Sequence, residues 1–284
     1  MINLIRSEFI KFRSVRSTII TLVIGGAIVV LVAVLVARDA SGDTVVTCEP
    51  VAGASASATP ETVPETIPED GVFLEGPSCG DGFEAVEAQP VTNLTGLTGG
   101  VSFAVLIFGV LGVQIIGQEY RFNTIRPTFT AAPNRIRVLA AKLVVVSVAV
   151  AAVSVVMVGF CWLVGAAMLD NFTIDEVDRR VAWGIPLFAA LWTMAGMGVG
   201  AIVRQPIAGI LILVGESLIA ESLIGGLFTS TLPWLPFSNG FQMTLRVEDA
   251  DQQLRGVLGG GIYFAVVCAV LWGIGAALAN RRDA

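Results

Sequence analysis

The chain contains no histidine, which removes the commonest metal ligand and the usual general acid and base near neutral pH. Charge is scarce as well: Asp, Glu, Lys and Arg make up 14% of the 284 residues, against about 25% in soluble domains. No G-x-x-x-x-G-K-S/T phosphate loop, H-E-x-x-H pair or Cys/His ligand cluster occurs, so the chain cannot hydrolyse ATP by that route. Gly215-Glu216-Ser217 is no nucleophile elbow, which needs G-x-S-x-G with a histidine partner. Sequence reading therefore yields no catalytic residue, no metal site and no nucleic-acid partner.

What is present is apolar. Hydrophobic residues account for 55% of the chain and the mean hydropathy is +0.80. They are bunched into blocks long enough to cross a bilayer, which takes about 20 residues per helix. The blocks run about Ser17–Ala37, Gly99–Gly117, Leu143–Leu169, Val181–Val203, Ile207–Phe228 and Val257–Ala279. Only helices satisfy every backbone group within one segment in lipid, so the predicted fold is an all-α integral membrane protein of six transmembrane helices, a single domain over residues 17–284. The first block is longer than the apolar region of a signal peptide, about 7–15 residues, and is read as a retained anchor. The third exceeds what a bilayer needs and is expected to tilt or to start at the interface.

Basic residues orient the chain, because cytoplasmic loops retain them. A cytoplasmic amino terminus leaves only Arg38, Arg179, Arg180, Arg246 and Arg255 of the 17 basic residues on the outer side. Both termini are thus predicted cytoplasmic, in the plasma membrane. Residues 38–97 become a long extracytoplasmic loop, rich in acids from Asp39 to Glu87. That loop could attract cationic substrates or be a solvated face. Its repeat, Pro60-Glu61-Thr62-Val63 then Pro64-Glu65-Thr66-Ile67 then Pro68-Glu69-Asp70, favours extended chain. Cys48 and Cys79 flank the repeat on the oxidising side and are predicted to form a disulfide, whereas Cys161 and Cys268 lie inside spans as small apolar fillers. In residues 1–16, Ile2, Ile5, Phe9 and Phe12 recur at helical spacing, as in an amphipathic helix lying in the interface; a plain extension of the first span is the other reading.

Two polar features stand out. Between the second and third spans, Gly117-Gln118-Glu119-Tyr120-Arg121-Phe122-Asn123-Thr124-Ile125-Arg126-Pro127 continues to Lys142 and mixes aromatics, acids and bases. It is read as a docking helix for a cytosolic partner, or as bases anchoring the topology. The second feature is Glu216 and Glu221 in the fifth span. A charge at the bilayer centre costs at least about 2.5–3.5 kcal/mol, so these acids should face protein or water. At 3.6 residues per turn, five positions are about 140° apart, so in a straight helix the pair shares no face. Hydrogen-bonded acids at a helix interface and a transport role both fit. Gly196-Met197-Gly198-Val199-Gly200 permits close helix packing, and Leu232-Pro233-Trp234-Leu235-Pro236-Phe237 is too proline-broken to span, so it is expected to be interfacial or re-entrant.

Along its whole length the chain resembles the permease subunits of type-2 ATP-binding cassette exporters, particularly the actinobacterial kind. The resemblance rests on three stretches. The opening Glu8-Phe9-Ile10-Lys11-Phe12-Arg13-Ser14 is similar to the family's E-x-x-K-x-R-S. The segment from Glu119-Tyr120 through Thr124-Ile125-Arg126-Pro127 and Pro133 to Ala141-Lys142 is the most specific. Glu216 followed by Trp234-Leu235-Pro236 is the third. The chain departs at Asn123, where members often carry Gly, and in its longer outer loop. The resemblance implies an amino-terminal elbow helix and a half-transporter: two permeases, this chain with a second copy or a paralogue, and two separate cytosolic ATPases that bind the ATP and magnesium, so that this chain itself holds no cofactor. It places Glu119, Tyr120, Arg121, Thr124, Ile125, Arg126 and Pro127 in or beside the ATPase contact. Two other functions remain open: a proton-coupled carrier using Glu216 or Glu221, and a sensor or scaffold binding a ligand through residues 38–97.

Overall fold

The computed structural model describes residues 2–14, 16–42, 45–50, 83–88, 92–122, 135–170, 172–246 and 256–281. Its helices are α1 (Ile2–Ser14), α2 (Arg16–Gly42), α3 (Leu94–Leu97), α4 (Val101–Arg121), α5 (Arg135–Met168), α6 (Glu176–Val203), α7 (Pro206–Val214), α8 (Glu221–Leu227), α9 (Pro236–Phe241) and α10 (Val257–Arg281). Five stretches are long and apolar enough to cross a membrane: Thr18–Ser41, Arg135–Met168, Glu176–Val203, Pro206–Leu227 and Val257–Arg281. A sixth arises if Leu94–Gly100 and Ala104–Arg121, bent by 46° against each other, count as one span. The chain is a multi-pass membrane protein of mostly helical structure.

α6 is the axis of the bundle. Of its most apolar stretch 72% is buried, against 17–33% for the other four long spans. Close approach around α6 depends on glycine. A Cβ at Gly196 would lie 2.2 Å from the Gly109 carbonyl oxygen, and one at Gly112 would lie 2.4 Å from the Thr193 carbonyl oxygen. The obstacle is backbone in both cases, so neither helix can yield by turning a side chain. The Gly196→Leu variant is expected to lose about 1–3 kcal/mol by overpacking, read as a lower unfolding midpoint in mixed detergent micelles.

Several expectations are corrected. Small strand pairs accompany the helices: β1 (Val45–Pro50) runs antiparallel to β2 (Phe83–Ala88), and β3 (Thr92–Asn93) runs parallel to β4 (Phe172–Thr173). Segment 38–97 therefore contains paired strand. Its Cys48 strand is paired, and its end, with Leu94 and Leu97 buried, already belongs to the bundle. The Pro60–Asp70 repeat lies outside the described residues, and so does the Cys48–Cys79 disulfide, since Cys79 and the Cys48 side chain are not among them. No disulfide is seen among the described residues, where Cys161 and Cys268 are free and buried.

The side chains of α1 divide between the bundle and the outside. Phe12 packs on the core, but Phe9 and Ile10 point away, 52% and 59% exposed, and the residue turned fully inward is Glu8. The proline-broken segment after α8 forms a 3-10 turn over Thr229–Trp234 followed by α9. It folds back into the bundle: Asn239 is fully buried, and Phe237 and Phe241 stack 5.7 Å apart against Phe188. Trp234 remains exposed at its edge.

Candidate functional site

At the end of the bundle where α4 leads into α5, three helices bring charges together. Lys142 on α5 donates to Glu119 of α4 at 2.7 Å and to Glu8 of α1 at 2.8 Å. Glu8 also accepts from Lys11, one helical turn away, at 3.1 Å. Glu8 and Lys142 are 3% and 5% exposed, and the Glu119 side chain 17%. Helix α5 starts at Arg135, before the apolar block at Leu143, because this pairing lets Lys142 lie inside packed structure; a charge is buried only when paired and hydrogen-bonded.

Burial alone pushes the Glu8 carboxyl up, but Lys142 and Lys11 together outweigh it and hold it below the usual 4.5. The carboxylate form is thus held more firmly in the folded chain than in the unfolded one. Unfolding takes up a proton, and the stabilisation, fully present above about pH 4.5, is lost as pH falls through the lower folded value. The unfolding midpoint is expected to drop as the pH is lowered from about 6 to about 3, with a shallower drop in Glu8→Gln.

The other residues expected at a docking surface separate here. Glu119 faces Lys142 rather than outward. Tyr120 lies under the Arg204 guanidinium, whose Cζ is 4.8 Å from the ring centroid. Arg204 closes α6 in a left-handed conformation, φ 58°, its amide donating to the Gly200 carbonyl at 2.9 Å. Arg121 and Phe122 are exposed and in contact with each other. Thr124, Ile125, Arg126 and Pro127 lie outside the described residues.

Glu216 and Glu221 behave differently from the sequence reading. Residues Gly215–Ala220 form a π-helix, whose i→i+5 hydrogen bonds carry positions five apart towards one face. The straight-helix angle does not apply, and the two carboxyl groups are neighbours. Their roles are unequal. Glu221, 3% exposed, accepts from the Phe237 and Ser238 amides and from the Ser238 hydroxyl, each at 2.7 Å. It caps α9, whose own N-cap residue, Leu235, supplies no side-chain bond. Glu216 is half-buried, and among the described residues its carboxyl supports no backbone group.

At the opposite end of α6 sits a cluster that the sequence did not suggest. Asp178, fully buried, accepts from the Thr95 amide and hydroxyl at 3.0 and 2.6 Å. It shares a reciprocal capping box with Asp175, and Arg246 bonds Asp175. Arg246 and the Asp178 amide hold the Asp175 carboxyl below its usual range. This arrangement pins the Leu94–Gly100 turn to α6.

No family model, curated protein or solved structure matches the chain. Its function is therefore argued from these clusters. The signals for them were thin: Glu8 showed as an acid inside the apolar pattern of α1 and as the first residue of the E-x-x-K-x-R-S stretch. Nothing local links it to Lys142, 134 positions away.

Proposed function

We propose that this chain is the permease half of an ATP-driven exporter. On this reading both termini and the 118–142 segment are cytoplasmic, and a separate cassette ATPase docks on that segment. A complete transporter holds two ATPases and two permeases, the second a copy of this chain or a paralogue, and the cargo crosses by alternating access. The observation that carries the reading is the construction of the α4–α5 connection. It leaves the bundle through a neck closed by the Glu119–Lys142 ion pair, and Arg121 and Phe122 are exposed as it departs. A plain topological loop requires no such buried neck. The chain's lack of a phosphate loop accords with a separate ATPase.

The test is purification of the full chain from its native membrane in mild detergent. A cassette ATPase should co-purify, and Arg126→Ala should weaken its retention about tenfold, a coupling of the size that a buried or bidentate arginine contact contributes. Purified wild-type chain with no ATPase bound would overturn the reading.

The π-helix favours one second reading, a proton-coupled carrier, because it sets Glu216 beside Glu221 within a span. A carrier of that kind works alone in liposomes under a pH gradient, and Glu216→Gln abolishes its flux. Flux that requires ATP and a second subunit rules it out.

A further inference from the structure

The neck of the α4–α5 connection is tied to a third element, and this tie is hard to explain as stabilisation. Burying an ion triad costs desolvation that its mutual attraction seldom repays, and apolar replacements are often as stable. Here two carboxylates share one buried lysine, and half-exposed Lys11 also pairs with Glu8. The arrangement is nonetheless specific in geometry. Glu119 stands at the entry to the connection, Lys142 at its exit, and Glu8 on a helix that meets the bundle mainly through α5. Only Val15 separates α1 from α2, so a displacement of α1 passes directly to a spanning helix. The outward side of α1 carries Phe9 and Ile10, both exposed, an apolar face of the kind that can lie in a membrane interface.

We propose that Glu8, Glu119 and Lys142 are a force-transmitting clamp. They act as positioning residues that fix the neck of the α4–α5 connection to α1, so that displacement of the connection by a bound ATPase moves α1 and, through it, the α2 span. The inference rests on the permease reading above. Lys142 is the moving part: it can keep one carboxylate while its distance to the other changes, which gives the junction two arrangements and not a continuous bend. Coupling through contacts of this kind requires such a two-state element.

The test uses the full chain with its co-purified ATPase in lipid nanodiscs, with spin labels at the exposed positions Ile10 and Val148. Trapping the ATPase with nucleotide should change the distance between the two labels. In Glu8→Gln the ATPase should remain bound, the distance change should disappear, and permease-dependent stimulation of ATP hydrolysis should fall about 2- to 30-fold, the range that coupling contacts supply. Glu8→Asp should restore much of both. A Glu8→Gln complex with unaltered stimulation and an unaltered distance change overturns the clamp while leaving the permease reading intact. Should Glu8→Gln fail to assemble, the wild-type distances decide alone: labels that do not move on nucleotide trapping overturn the clamp. Wild-type chain that binds no ATPase overturns both.

Discussion

Lys142→Met is expected to destabilise the protein by about 3–5 kcal/mol, because removing one partner from a buried ion pair leaves an uncompensated charge. Two carboxylates lose their shared cation at once. Glu8 keeps Lys11, at 3.1 Å and half in solvent, and the two acids are then left close together without the lysine between them. Methionine fills the space of the lysine stem, so the loss is electrostatic and not a cavity. The measurement is equilibrium unfolding in mixed micelles, with Lys142→Arg as the control that keeps the charge. A triple variant, Lys142→Met with Glu8→Gln and Glu119→Gln, should regain most of the loss, since it removes the stranded charges rather than exposing them. A triple variant no more stable than Lys142→Met alone would show that the lysine acts through packing.

The span blocks were legible because hydropathy reports which residues can face lipid. The last span starts at Val257 in both readings, and the fifth block, Ile207–Phe228, lies within one residue of Pro206–Leu227 at each end. Hydropathy fails where a helix leaves the lipid. α5 runs on through Arg135, Arg137 and Lys142 because polar residues there meet protein partners, and no local pattern announces a partner 134 positions distant. The same limit applies to α1: the helical period through Ile2, Ile5, Phe9 and Phe12 is legible, but the inward turn of Glu8 to Lys142 is not. In the fifth span the error was one of geometry. Constant pitch was assumed between Glu216 and Glu221, and the π-helix over Gly215–Ala220 broke it, with nothing in Gly-Glu-Ser-Leu-Ile-Ala that marks such a turn. Of the residues read as a docking surface, Glu119 faces Lys142, and Thr124, Ile125, Arg126 and Pro127 lie outside the described residues.

The two intramembrane acids should separate cleanly by mutation. Glu221→Leu is expected to cost on the order of 3–5 kcal/mol, since it removes three hydrogen bonds to a buried acceptor and leaves the Phe237 and Ser238 amides without their partner. Those amides are the unpaired donors of the first turn of α9, where a carboxylate is also favoured by the helix dipole. With the cap gone, α9 has no other side-chain cap, and the Phe237–Phe241 stack against Phe188 loosens with it. Glu221→Gln should fall between, because one amide oxygen can still accept while its NH2 group faces a donor. Glu216→Gln, by contrast, should change stability by no more than about 1 kcal/mol, as expected for a residue outside any backbone-supporting network. Unfolding midpoints of the three variants decide the assignment. If Glu216→Gln proves as damaging as Glu221→Leu, the pair is one structural unit, and a transport role for Glu216 loses its footing. If only Glu221 matters for folding, the π-helix holds Glu216 half-buried beside Glu221 without using it to support the fold, and any effect of Glu216→Gln on flux can be read as an effect on transport.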